Sequence, residues 1–229
     1  MSEGHKIERM TPELTIALAK GRMMTGALTL LRRTGIEIEE SALASRRLSI
    51  EDKSNRYRFI FVKPADVGTY VEHGTADCGV TGRDVLLESE SDVLQPLDLR
   101  IAQCRISVAA PVALLRGTNA TLEASGMLRV ATKYPRIAMN HFSARGVPVE
   151  IIELAGSVEL APVLGLADCI VDLVETGRTL EENGLTIVED ITTSSARFIV
   201  NRASYQLKTK AIARLIEELS RAIAAGVIS

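Results

Sequence analysis

The sequence predicts an α/β protein of two similar lobes around a cleft. Three observations lead there. Short aliphatic runs alternate with stretches of helical apolar spacing; Gly-Thr-Ala-Asp-Cys at 74–78 returns as Gly-Leu-Ala-Asp-Cys at 165–169; and each copy leads through an apolar run to Thr-Gly-Arg, at 81–83 and 176–178. Alternating strand and helix signals favour parallel sheets covered by helices. A returning motif signals a repeated design.

The elements follow in order. Residues 14–19 (LTIALA) form an aliphatic strand, ended by Lys20-Gly21-Arg22, and Met23, Met24, Ala27, Leu28, Leu30 and Leu31 then keep helical spacing up to Gly35. Residues 59–62 (FIFV) form a second strand, after which Pro64 opens a helix with Val67, Tyr70 and Val71 on one face, closed by Gly74. Strand and helix alternate again through 128–132, the stretch after Pro135, 149–154 and 157–164. Two of these strands end alike, on Lys20 and Lys133, with Arg22 and Arg136 just beyond. Ile212, Leu215, Ile216, Leu219 and Ile223 make a terminal amphipathic helix, which docks on a lobe or on another subunit.

Composition excludes several function classes. Basic residues number 27 and acidic 29, so no bulk positive charge exists for a nucleic-acid duplex. Aromatics at 3% without Trp argue against a stacking platform for single strands, and the 46% hydrophobic content must fill the core with aliphatics. Neither an export signal nor a run of eighteen apolar residues is found, which predicts a cytoplasmic protein with no membrane span. Cys78, Cys104 and Cys169 lack metal or CxxC spacing and read as small buried hydrophobes. Basic residues gathered at strand ends predict a cationic cleft for a compact polyanion such as a phosphorylated metabolite.

The sharpest signal is the run 169–180. A buried strand delivers Asp172 and then Glu175-Thr176-Gly177-Arg178-Thr179 opens a helix. Successive N–H groups and two threonine hydroxyls at a helix start form a cradle for one phosphate, with Asp172 placed for vicinal ribose hydroxyls. Phosphoribosyl diphosphate sites use this acid-then-Thr-Gly-x-Thr logic. The structural alternative is that Thr176 caps the helix and Gly177 eases a turn. Neither a Walker loop nor GxGxxG occurs, which removes the other nucleotide-binding motifs.

The chain resembles the short form of the ATP phosphoribosyltransferase family from Leu14 to about Tyr205. The matching stretches are LTIALAKGR (14–22), SRRL (45–48), residues 65–88, AQCR (102–105), ATKYP (131–135) and, above all, GSVELAPVLGLADCIVDLVETGRTLEENGL (156–185). The resemblance implies transfer of the 5-phosphoribosyl group from phosphoribosyl diphosphate to N1 of the adenine of ATP. Pyrophosphate departs, Mg²⁺ accompanies the diphosphate, and the product enters histidine biosynthesis. It also implies a fold like type II periplasmic binding proteins, with the chain crossing twice between lobe I (1–102 plus 194–229) and lobe II (103–193), the latter carrying the phosphoribosyl diphosphate loop. No family regulatory domain is expected after Tyr205. The expected partner is therefore a regulatory subunit resembling histidyl-tRNA synthetase, in a hetero-oligomer.

Candidate roles follow from the charge that develops during glycosyl transfer, positive on the ribose and negative on the departing pyrophosphate. Lys20, Arg22 and Arg46 are the catalytic candidates, as cations for the leaving group; Lys63 joins them on the ATP side. Asp172, Glu175, Thr176, Gly177, Arg178 and Thr179 are the phosphoribosyl diphosphate candidates, and Asp84, Tyr134 and Glu159 the remaining ATP candidates. Each has a plainer alternative: solvated charge for the cations, a helix cap for Asp84, a half-buried ring for Tyr134, a capping box for Glu159. Lys63 departs from the arginine usual in the family and cannot fork onto a phosphate. A different function class fits the same architecture, a non-catalytic two-lobe module binding a small anion.

Overall fold

The computed structural model describes residues 11–43, 47–115 and 127–226. The chain divides into two units, one made of the residues up to Ala102 together with those from Ser195, the other of Gln103–Ser194.

The first unit holds strands β1 (Leu14–Ala19), β2 (Ser49–Glu51), β3 (Tyr57–Val62), β4 (Cys78–Gly82), β5 (Leu94–Asp98) and β11 (Ala196–Val200), in the order β2-β3-β1-β4-β11-β5. Its helices are α1 (Arg22–Arg33), α2 (Glu40–Leu43), α3 (Pro64–Glu72), α4 (Arg83–Ser89), α8 (Arg202–Leu207) and α9 (Thr209–Ala224). The second unit holds β6 (Cys104–Pro111), a 3-10 turn at Val112–Leu115, β7 (Leu128–Thr132), α5 (Pro135–Ser143), β8 (Val149–Glu153), α6 (Leu160–Val163), β9 (Cys169–Val174), α7 (Arg178–Glu182) and β10 (Leu185–Ser194), with strands ordered β10-β6-β9-β7-β8.

The sequence repeat is a repeat of topology. In the first unit β1 lies between β3 and β4, all three parallel. In the second, β7 lies between β8 and β9, again parallel. Both sheets then continue with two further strands, each antiparallel to the one before it: β11 beside β4 and β5 beside β11 in the first unit, β6 beside β9 and β10 beside β6 in the second. The sheets are therefore mixed rather than wholly parallel, because the strand entering each unit after a crossing, β6 or β11, runs opposite to the three that form the βαβ core. Burial explains the aliphatic runs: Leu14, Ile16, Ala17 and Leu18 are fully buried, as are Val130 and Ala131. A central strand covered on both faces needs a continuous apolar run.

Local rules set the helix boundaries. Gly21 takes φ +97° to turn the chain from β1 into α1, and Pro64 and Pro135 stand at the starts of α3 and α5, where a missing N–H costs nothing. The helix expected over 157–164 shrinks to the single turn α6. Pro162 supplies no N–H there and Gly165 reverses the chain at φ +75°. The terminal helix α9 docks on its own unit: Ile212 and Leu215 are fully buried and Leu219 and Ile223 nearly so, in a cluster shared with α1 and the β1 sheet. Each such aliphatic side chain contributes roughly 1.5–3 kcal/mol by leaving water, so a single Leu215→Asp would undo the docking.

Candidate active site

In open α/β sheets, chemistry gathers where parallel strands end. The parallel strands of the first unit end level: β1 and β3 stay paired to Ala19 and Val62, and the Lys20 N–H donates to the Val62 carbonyl at 2.9 Å. Lys20 and Lys63 thus leave adjacent strands side by side, both exposed. Arg22 is the first residue of α1 and is also exposed. At the end of β4, Asp84 lies in the first turn of α4 and is only 7% exposed. It does not cap that helix; Gly82 holds the cap position, and a Cβ there would fall 2.1 Å from the Asp84 carboxylate. That close approach requires glycine. Arg46 lies outside the described residues.

The second unit repeats the arrangement with different side chains. β9 runs three residues past its last pairing with β7, Thr132↔Val171, and so projects Asp172 at the level where β7 releases Lys133. Burial pushes the Asp172 carboxyl above the usual carboxylate range; the negative charge of Glu159 adds to this, while the Leu173 N–H and the Lys133 charge oppose it. Asp172, Glu159 and Lys133 therefore share one electrostatic site. Lys133 was not among the candidates drawn from sequence, although the parallel endings on Lys20 and Lys133 were the signal for it.

After β9, residues 175–177 bend and Gly177 sits at φ +83° as the cap residue of α7. Among the described residues neither the Thr176 nor the Gly177 N–H donates to a backbone carbonyl. The Thr176 hydroxyl meets the Arg178 N–H only at 3.5 Å, the outer limit for a hydrogen bond, so capping is a minor part of its role. Helix α7 has five residues, too few for a strong macrodipole, and the loop must draw on its own N–H and hydroxyl groups. Glu175, Thr176, Arg178 and Thr179 are exposed.

The two remaining ATP candidates also lie in this unit. Tyr134 is 6% exposed, packed in the apolar cluster of β6, β7, β9 and α5 at the start of α5. Glu159 precedes α6 and makes no capping bond there, so the capping box is absent. Structure thus brings Asp172, Glu159, Tyr134 and the 175–179 loop into one unit and Lys20, Arg22, Lys63 and Asp84 into the other. Burial pushes the Cys169 thiol up to about 12 and raises that of Cys78 as well, which removes both as nucleophiles at neutral pH. No described helix is long and apolar enough to cross a membrane.

The family model HisG, ATP phosphoribosyltransferase, matches residues 63–221. The ATP phosphoribosyltransferase of Anoxybacillus flavithermus is 51% identical over 210 residues, covering 92% of this chain and 95% of that protein. That of Sorangium cellulosum is 48% identical over 217 residues, covering 95% and 99%. Among solved structures, the ATP phosphoribosyl transferase (HisG:HisZ) complex from Thermotoga maritima contains a chain 38% identical, with TM-score 0.79, of which 100% is covered by 93% of this one. The alkanesulfonate-binding protein SsuA from Xanthomonas axonopodis pv. citri, bound to MOPS, is 13% identical at TM-score 0.54, covering 91% of this chain and 72% of that one; it shares the periplasmic-binding-protein-like two-lobe fold alone. With half of its residues identical to such a relative over nearly its full length, the chain belongs to the ATP phosphoribosyltransferase family, whose reaction opens histidine biosynthesis.

Proposed function

We propose that the chain transfers the 5-phosphoribosyl group of phosphoribosyl diphosphate to N1 of the ATP adenine with the strand-end residues described above. The observation that carries this assignment is the junction of Asp172 with the 175–179 loop: an acid at a strand end, then a left-handed glycine with open N–H groups beside it. The loop takes the 5′-phosphate on the Thr176 and Gly177 N–H groups and on the Thr176 and Thr179 hydroxyls, with Glu175 and Arg178 shaping its rim. Asp172 accepts the ribose hydroxyls, and the cradled phosphate sets their distance.

Adenine N1 carries a lone pair and needs no strong base. The bond from the ribose anomeric carbon to the pyrophosphate oxygen breaks as that carbon bonds to N1, so positive charge builds on the ring and negative charge on pyrophosphate. Lys20 and Arg22 neutralise the departing oxygens, with Arg46 and Lys63 as further cations and Lys63 directed to the triphosphate of ATP. Asp84 in the first unit, and Tyr134 and Glu159 in the second, are the further candidates for ATP. Mg²⁺ bound with the diphosphate would supply further charge neutralisation there, the usual mode for a cation that keeps most of its water. Glu159 is the carboxylate that would meet its water shell.

A regulatory subunit resembling histidyl-tRNA synthetase is the proposed partner, supported by the HisG:HisZ assembly of the Thermotoga maritima relative. Histidine then inhibits only the complex; strong inhibition of the isolated chain at low histidine overturns this. The reduced cysteines suit a cytoplasmic setting.

The decisive experiment is pyrophosphate release with Mg²⁺, ATP and phosphoribosyl diphosphate, each omitted in turn, with mass spectrometry for the phosphoribosyl adduct of ATP. Release that needs both substrates and yields the adduct confirms the reading. Failure to bind phosphoribosyl diphosphate at all returns the chain to a two-lobe anion-binding module.

A further inference from the structure

Thr132 is a buried polar residue with no solvent exposure, and its hydroxyl is used twice. It donates to the Val171 carbonyl at 2.6 Å and accepts the Tyr134 N–H at 2.8 Å. These two bonds stand at a particular place. The β7–β9 ladder ends at the pair Thr132↔Val171. Beyond it the two chains part, β9 continuing to Asp172 and β7 turning through Lys133 into Tyr134 and α5. The other side of β7 closes in the same way, with the Leu154 N–H on the Thr132 carbonyl at 2.9 Å.

One hydroxyl therefore replaces the backbone ladder where it stops. The chain of bonds runs from the Tyr134 amide through the Thr132 hydroxyl to the carbonyl of Val171, whose next residue is Asp172. A buried relay of this kind admits one geometry, because any rotation of the side chain leaves an amide or a carbonyl unpaired. Valine fills the same volume but offers neither bond, and serine keeps both bonds while losing a methyl.

We infer that Thr132 is a positioning residue for phosphoribosyl transfer, whose hydroxyl locks the Lys133–Tyr134 turn to the end of β9 and so keeps Lys133 level with Asp172 at the strand ends. This rests on the reading of Asp172 as the ribose anchor. Thr132 touches no substrate; it acts through the two residues on either side of the ladder's end. Loss of the relay frees Lys133 and Asp172 from their common level, which weakens the phosphoribosyl diphosphate site; Tyr134, an ATP candidate in the same turn, is loosened with them, while Lys20 and Lys63 in the first unit are not.

The test compares Thr132→Val, Thr132→Ser and Asp172→Asn in the full-length chain, by calorimetric titration with phosphoribosyl diphosphate in Mg²⁺ and by steady-state kinetics. Thr132→Val should raise Kd and KM for phosphoribosyl diphosphate about tenfold, the scale of one or two lost hydrogen bonds. Thr132→Ser should restore most of that affinity. A purely structural threonine predicts another pattern: a lower melting temperature for Thr132→Val with Kd unchanged, and that pattern overturns the proposal. If Asp172→Asn binds as tightly as the parent chain, the ribose reading itself falls; if it binds weakly while folded Thr132→Val does not, only the positioning role falls. Should Thr132→Val fail to fold, hydrogen exchange on the parent chain decides. The Tyr134 amide must then be protected and must slow further when phosphoribosyl diphosphate binds, and rapid exchange in both states refutes the relay.

Discussion

Asp168 accepts the backbone N–H of Arg129 at 2.9 Å and holds its guanidinium at 2.8 Å, while the Asp168 N–H returns to the Arg129 carbonyl at 2.9 Å. Asp77 does the same to Thr15: its carboxylate takes the Thr15 N–H at 2.8 Å and its N–H reaches the Thr15 carbonyl at 2.8 Å. The aspartates of the two Ala-Asp-Cys motifs thus set the register of β1 and β7, the strands at the centre of each parallel trio. Their surroundings differ. Asp77 also binds the Ser204 hydroxyl and the Lys208 ammonium, both at 2.8 Å, and its side chain is 9% exposed against 31% for Asp168. Replacing a buried, multiply bonded carboxylate leaves more groups unsatisfied. Asp77→Ala should cost about 3 kcal/mol in urea unfolding and Asp168→Ala about half of that; equal losses would contradict this ordering.

The side-chain bond from Arg129, with its backbone N–H and charge, holds the Asp168 carboxyl below the ordinary carboxylate value of 3.8. A group with a depressed folded value contributes its stability above the unfolded value and loses it as pH falls through the folded one. Arg129→Met should therefore lower the melting temperature near neutral pH, with the difference from the parent shrinking steadily as acid is added below the unfolded carboxylate range. A difference that grew in acid would reverse the sign of this linkage. Salt should narrow the gap as well, since Arg129 is partly exposed.

Much of the architecture could be read from local patterns, and the unread parts share one cause. The run from Asp172 to Thr179 is contiguous, so its acid, glycine and hydroxyls announce themselves in order. The Gly-x-Ala-Asp-Cys echo likewise marks two equivalent corners. By contrast, the approach of Lys133 to Asp172 depends on the pairing Thr132↔Val171, which joins residues 39 apart and leaves no mark in either segment. The antiparallel flanks were hidden for the same reason, since β11 meets β4 only after the chain returns from the second unit. α9 displayed its apolar stripe plainly, yet only tertiary packing shows that α1 and the β1 sheet cover it. The phosphate and ribose roles proposed for residues 172–179 follow from their own acid, amide and hydroxyl chemistry; the family resemblance adds the proposed acceptor.

Gly177 offers a test of the phosphate loop. Its φ of +83° is one that L side chains resist, while the nearest atom to an added Cβ, on Val174, is a comfortable 3.9 Å away. Space is therefore available and the cost is backbone strain alone, about 1 kcal/mol for alanine. If the loop relaxes to avoid that strain, the Thr176 and Gly177 N–H groups change direction. Gly177→Ala should lower the melting temperature by only about 3 °C yet weaken phosphoribosyl diphosphate binding more than tenfold. Gly177→Asn, which tolerates the left-handed region, should recover part of the affinity. Unchanged binding in Gly177→Ala would detach the loop from the phosphate.

Asp172 is predicted to weaken the free protein. Burial raises its carboxyl above the ordinary 3.8, with Glu159 adding a like charge, so the ionised form that ligand binding requires is disfavoured in the folded chain. The sign is opposite to that of Asp168: the folded state binds the proton more tightly, no penalty exists in acid, and the penalty develops as pH rises from the unfolded value through the raised folded one. Asn has the same shape and no charge. Asp172→Asn should therefore melt above the parent by about 2 °C near neutral pH, with no advantage in acid, while losing most of its affinity for phosphoribosyl diphosphate. The pairing of gained stability with lost binding is what separates a functional carboxylate from a structural one. A variant that melts lower at neutral pH and still binds would place Asp172 among the residues that hold the fold.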